Sequence, residues 1–275
     1  LIFFIGFIPG LSTLGVPSLA NVETPTLEVV AMSFLAAYTF FIALVSMYDA
    51  LRRADAANVI PIIGAVAAVS SFVMEYLFLD GSLTHNYILG ILLLTLGTTL
   101  VAQNLPKSTV VKQVIHSGIF YAFHYITMKG LFQLNSFDDG FFWSRIGFVV
   151  FTLSLLLVPA YYEKIMGQTK QTSAKTGFLV VFTKILAGAA AFLLLKATDW
   201  GEVSVVQALE AVKFVFIVIL TGLFAHWLPE AATEKDLRPR EVIRRVIYVV
   251  LIGAGFFVLF TDINWELSFG VVLGR

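Results

Sequence analysis

The sequence predicts an all-α fold, a polytopic bundle of transmembrane helices built as an inverted repeat of two five-helix halves. Three observations carry this. First, 59% of the chain is hydrophobic and only 13% is charged, with a mean hydropathy of +0.89, whereas soluble domains are about 25% charged. A core of 275 residues cannot hide that much apolar surface, so lipid must serve as solvent for much of it. Second, apolar runs of roughly 20 residues follow one another along the chain, too long and too little alternating for barrel strands. Third, the chain resembles itself weakly at a shift of 147 residues.

The elements follow in order. Within a stub at 1–19, Leu1 to Leu11 reads as the tail of an apolar helix broken at Pro9-Gly10, with no basic segment ahead of it. The expectation is a chain truncated upstream, with at least one helix missing. Eight full spans then come at 27–48, 57–79, 87–104, 114–132, 141–160, 177–196, 203–228 and 242–261, joined by short polar loops. The 147-residue shift lays Ala50, Asp55 and Val59 on Ala197, Glu202 and Val206, and each segment is a helix, a charged turn and another helix. Span 27–48 and its counterpart 177–196 are five helices apart, an odd number, so the two halves face opposite ways across the membrane. The division reads as residues 1–104 for the first, shortened half, 105–113 for a linker loop and 114–275 for the second half.

Several short motifs resemble a known family. Leu83-Thr84-His85-Asn86-Tyr87 leads into a helix with glycines at 90 and 97. Tyr48-Asp49-Ala50-Leu51, followed by Ala56-Ala57-Asn58-Val59-Ile60-Pro61, and Arg145 in Phe142-Trp143-Ser144-Arg145 complete the set. Together they resemble the EamA-like transporters of the drug/metabolite transporter superfamily. The chain departs from that pattern at Asp80-Gly81, where the family has Gly-Glu, and in the longer charged loop from Glu230 to Arg245. The resemblance implies a central cavity between two halves and export or exchange of small metabolites without ATP hydrolysis.

The strongest functional signal lies in 203–228. Ser204, Gln207, Glu210 and Lys213 recur every third residue in an otherwise apolar run, and Thr221 rejoins their face. Each ionisable group at bilayer depth costs about 2.5–3.5 kcal/mol on insertion scales, so a cavity or partner helix is expected to receive them. Lys184, eight residues into its helix, could neutralise Glu210; alternatively Glu210 and Lys213 pair with each other, or Lys184 snorkels. His116, Ser117, Tyr121, His124 and Tyr125 decorate one side of 114–132, with His124 placed where histidine can carry a proton near neutral pH. The expected substrate-binding set is His124, Tyr121, Arg145, Lys184, Gln207, Glu210 and Lys213. Arg145 reads equally as a snorkelling residue, Glu75 as interfacial, Gly90 and Gly97 as packing positions, and Pro61 as a hinge or a helix start.

Nothing points to an enzyme, a cofactor or a metal. The four histidines lack zinc spacing and a carboxylate motif, there is no phosphate-binding glycine loop, and there are no cysteines. A net charge of zero gives no case for nucleic acid. The partners read from the sequence are the lipid bilayer, a small-molecule substrate, a coupling proton on Glu210 or His124, and a second copy in a homodimer. The location is the plasma (inner) membrane, multi-pass. Lysines and arginines gather in alternate loops, which by the positive-inside rule leaves the C-terminus outside, whereas the resemblance implies a cytoplasmic one. The reading is a secondary-active transporter of a small polar metabolite such as an amino acid, working by alternating access. A multidrug or cation exporter and a non-transporting membrane scaffold are the alternatives.

Overall fold

The computed structural model describes residues 22–79, 85–102, 108–159, 161–163, 174–223 and 239–261. The N-terminal stub, the residues after Thr261, most of the long charged loop and the side chains of Lys184 and Thr221 lie outside the described residues. Among the described residues the regular structure is helical, with no strand: α1 Leu27–Leu51, α2 Ala56–Phe78, α3 His85–Val101, α4 Ser108–Leu134, α5 Phe137–Ser154, α6 Ala174–Trp200, α7 Val203–Leu209, α8 Val212–Leu223 and α9 Pro239–Phe260. A 3-10 turn, Leu155–Leu157, prolongs α5.

Among the described residues, five helical stretches are long and apolar enough to cross a membrane: Leu27–Leu51, Ala56–Phe78, Phe137–Leu157, Val181–Trp200 and Ile243–Phe260. The remaining three expected spans differ for identifiable reasons. The α3 helix is shorter, at 17 residues. The α4 helix, at 27 residues, is long enough but carries Lys112, His116, His124 and Lys129. Residues 203–228 do not form one helix, because the chain breaks between α7 and α8. The expected linker 105–113 also shifts, since α4 already begins at Ser108. Pro61 sits buried in the second turn of an unbroken α2, where its ring leaves the Ala57 carbonyl without the usual amide donor four residues on.

Local chemistry sets several helix starts. Thr26 Oγ1 accepts the Val29 amide at 3.3 Å to open α1. Ser136 accepts the Asp139 amide at 3.2 Å and donates to its carboxylate at 2.6 Å, opening α5 on the other side of a two-residue turn.

The packing places polar atoms inside and large apolar side chains outside. On α3, Ile91, Leu94 and Thr98 are buried while Leu92, Leu96 and Leu100 are exposed, the arrangement suited to hydrocarbon. One core joins α1, α4, α5 and α6 through Ala36, Met128, Leu131, Phe137, Phe141 and Leu195. A second joins α2, α3, α7 and α9 through Ala68, Leu94, Ala208, Tyr248, Ile252 and Leu259.

The α3–α9 seam depends on glycine. A Cβ added at Gly97 would lie 2.7 Å from Ile252 Cγ1, and one at Gly90 would lie 2.6 Å from Leu259. The small residues let the two helices approach, as the packing reading of their spacing expects. Gly97→Ala is therefore expected to destabilise the protein by about 1–3 kcal/mol through overpacking. Thermal unfolding in detergent measures it, and an unchanged midpoint would contradict the seam.

Candidate functional site: a polar cavity at a helix break

The break between α7 and α8 follows from a local tightening of the backbone. Around Glu210 the amides of Ala211, Lys213 and Phe214 bond to the carbonyls three residues back, at 3.0, 3.2 and 3.0 Å. Such a stretch has three residues per turn, so side chains spaced by three eclipse one another. The three-residue spacing of Gln207, Glu210 and Lys213 matches this turn better than it matches an α-helix. All three end on one wall.

That wall faces a cavity of about 340 Å³. Tyr121 and Tyr125 of α4 stand across from it, Ile60, Ile63 and Gly64 of α2 form one flank, and Ala187, Ala190 and Ala191 of α6 form the other. The volume sits at the small end of ordinary ligand sites. Lys213 Nζ donates to Glu210 Oε2, and the pair is partly exposed rather than sealed in packing. Gln207 is buried, and its Nε2 has no hydrogen-bond partner among the described residues. Tyr121 donates to the Met47 sulfur at 3.6 Å and packs edge-on against Phe40. The cavity therefore offers one carboxylate, one ammonium, an unused amide donor and two phenols against an apolar floor.

The structure thus brings together four of the seven expected residues: Tyr121, Gln207, Glu210 and Lys213. Tyr125 joins them. Lys184 belongs to α6, but its side chain is outside the described residues. His124 and Arg145 lie elsewhere, in an aromatic layer between α1, α4 and α5. His124 Nδ1 is 2.9 Å from the Ala36 carbonyl, and its ring lies 5.0 Å from Phe40 and 5.7 Å from Phe148. Arg145 is buried with its guanidinium 4.7 Å from the Phe148 ring and 5.1 Å from Phe141, while Nε donates to Ser144 Oγ at 3.3 Å. Aromatic faces take the place of a carboxylate there. Other polar residues of α4 also tie it to α1: Ser117 Oγ donates to the Ala43 carbonyl at 2.9 Å, and His116 Nδ1 meets Ser46 Oγ at 2.7 Å.

Two charged residues act outside the cavity in ways the sequence did not announce. Glu75, expected at the interface, is 1% exposed. Its carboxylate accepts the Val203 amide at 2.6 Å, the Ser204 amide at 2.9 Å and the Ser204 hydroxyl at 2.5 Å. It caps α7 from α2, a task that the Glu202 side chain at the N-cap position leaves undone. Ser204, read as part of the polar stripe, is consumed in that cap. Lys129 does the complementary work, donating to the carbonyls of Thr198, Asp199 and Gly201 at 3.0, 2.9 and 3.0 Å at the C-terminal end of α6. The only sequence signal for either residue is a charge near the end of an apolar helix, which reads first as snorkelling.

Comparison with known proteins adds the fold and no more. No family model matches the chain, and no curated protein matches it. Solved structures do match. One of them, described only as "Crystal structure of protein", is 14% identical with a TM-score of 0.54, over 94% of this chain and 97% of that one. At that identity the likeness is one of fold.

Proposed function

We propose that this protein is a secondary-active transporter of the EamA-like, drug/metabolite transporter type. It would move a small polar metabolite, an amino acid being the best fit, across the plasma membrane, using the cavity as a midplane site. Alternating access would come from two inversely related halves rocking about that site, with direction set by differential affinity for the two states. No cofactor is required.

One observation carries the proposal. A broken helix presents Gln207, Glu210 and Lys213 to a cavity of about 340 Å³ in a bundle that contains helices long and apolar enough to cross a membrane. Discontinuous helices at membrane depth are tolerated where they line a cavity, and they suit ion and substrate binding. The Glu210–Lys213 pair favours a zwitterion, which can exchange both partners at once, over a bare cation, which would face the lysine as well as the glutamate. A coupling proton falls to Glu210, because His124 is held on the Ala36 carbonyl away from the cavity wall.

Thermal stabilisation across a metabolite library, with amino acids set against cationic dyes, tests the reading. Zwitterions are expected to raise the unfolding midpoint, by RT ln(1 + [L]/Kd), about 2.7 kcal/mol at a hundredfold excess over Kd. Stabilisation by dyes alone would turn the reading to the multidrug exporter. Stabilisation by neither would favour the scaffold.

A further inference from the structure

A second, much smaller cavity lies on the α3 side of the α7–α8 break. It measures about 10 Å³, and Thr95 and Thr98 of α3 line it together with Gln207, Glu210 and Lys213. Those last three also line the larger cavity, so the break is a thin partition between the two. Thr95 lines the small cavity and not the large one. Two buried polar atoms share this space without a hydrogen-bond partner among the described residues: Gln207 Nε2 and Thr95 Oγ1.

Thr95 differs from the other threonines of the bundle. A threonine inside a helix ordinarily satisfies its hydroxyl on its own backbone. Thr39, Thr98, Thr99, Thr127, Thr152 and Thr198 each donate to the carbonyl four residues back, at 2.7–2.9 Å. Thr95 does not, although its oxygen is shut away from bulk solvent. Leaving a buried hydroxyl and a buried amide hydrogen both unpaired is costly, and one small molecule that accepts and donates removes both costs.

We propose that the small cavity binds a single water molecule, which accepts a hydrogen from Gln207 Nε2 and bonds Thr95 Oγ1, tying α3 to the wall of the larger cavity.

Size and chemistry both favour water. The volume is close to the least that holds one, and Thr95, Gln207 and the Glu210 carboxylate supply the roughly two to four polar partners that a buried water needs. A metal cation fits poorly, because an amide hydrogen and the Lys213 ammonium share the wall with the carboxylate. A halide fits poorly as well, since the space is one water wide and Glu210 repels it. The Gln207 amide carries two hydrogens on Nε2. One spent on the water fixes the amide in the partition, and the other stays available to the larger cavity. The water site rests on packing and hydrogen bonding alone, and it stands whatever the larger cavity carries.

The test uses the full chain. A high-resolution crystal structure of the parent should show a water peak within hydrogen-bonding distance of both Thr95 Oγ1 and Gln207 Nε2. Thr95→Val supplies a second readout, because it replaces the hydroxyl with a methyl of the same shape. A hydroxyl that holds a water loses a bond in this variant, and the thermal midpoint should fall by about 2–4 °C. A hydroxyl that is merely unpaired gives the opposite sign, since its removal relieves a cost. In a Gln207→Leu background, which has no amide hydrogen to offer, the loss from Thr95→Val should shrink, because the two residues share one water. The site is overturned by a parent structure without density between the two atoms. It is equally overturned by a Thr95→Val midpoint at or above that of the parent, or by equal losses in the two backgrounds.

Discussion

Glu75→Ala is expected to cost about 3–5 kcal/mol of stability, the largest loss anticipated for any single substitution in this chain. The variant removes a buried carboxylate and strands the amides of Val203 and Ser204 together with the Ser204 hydroxyl, none of which water reaches in the folded protein. In a protein of this size that corresponds to a fall of roughly 10 °C in the unfolding midpoint. Glu75→Gln should fall between the two, because one oxygen survives as an acceptor while the amide nitrogen opposes the donors. An alanine variant within about 1 kcal/mol of the parent would mean that α7 is capped by something other than α2.

The second large effect is functional and should leave stability nearly untouched. Lys213 and Glu210 are partly exposed to the cavity, and exposed pairs contribute about 0–1 kcal/mol. Glu210→Gln and Lys213→Met should therefore fold like the parent. Their effect on a zwitterion is another matter. Each removes a partner for one substrate charge and leaves the other cavity charge to repel or go unmatched. A loss of one charge-assisted bond, about 1.5–3 kcal/mol, corresponds to a drop of about tenfold to a hundredfold in affinity. Small stability change with large binding change separates a binding pair from a structural one.

The fold was legible where hydropathy alone decides it. Runs such as Leu27–Leu51 and Ala56–Phe78 are apolar on every face, and their helices come within a few residues of the expected bounds. Gly90 and Gly97 announced a close crossing, though not which helix would make it. The polar stripe was legible as residues and misread as geometry. A spacing of three suits the face of one continuous helix, whereas the backbone tightens at Glu210 and breaks the helix there. Hydropathy does not register such a turn, because the residues on both sides remain apolar. His124 and Arg145 stand out for their chemistry at depth, but chemistry does not reveal direction. Packing turned one toward a backbone carbonyl and the other between two phenylalanine rings. Glu75 and Lys129 were the hardest, since their partners are backbone groups 69 to 129 residues away in sequence. No local pattern encodes a cap delivered from another helix.

Solute counterflow in proteoliposomes addresses the central claim most directly. An amino acid that stabilises the protein should exchange across the membrane with the parent chain, and exchange should fall at least about tenfold in Glu210→Gln and in Lys213→Met at matched protein incorporation. Exchange that survives both substitutions unchanged would place the path away from the α7–α8 break and contradict the account.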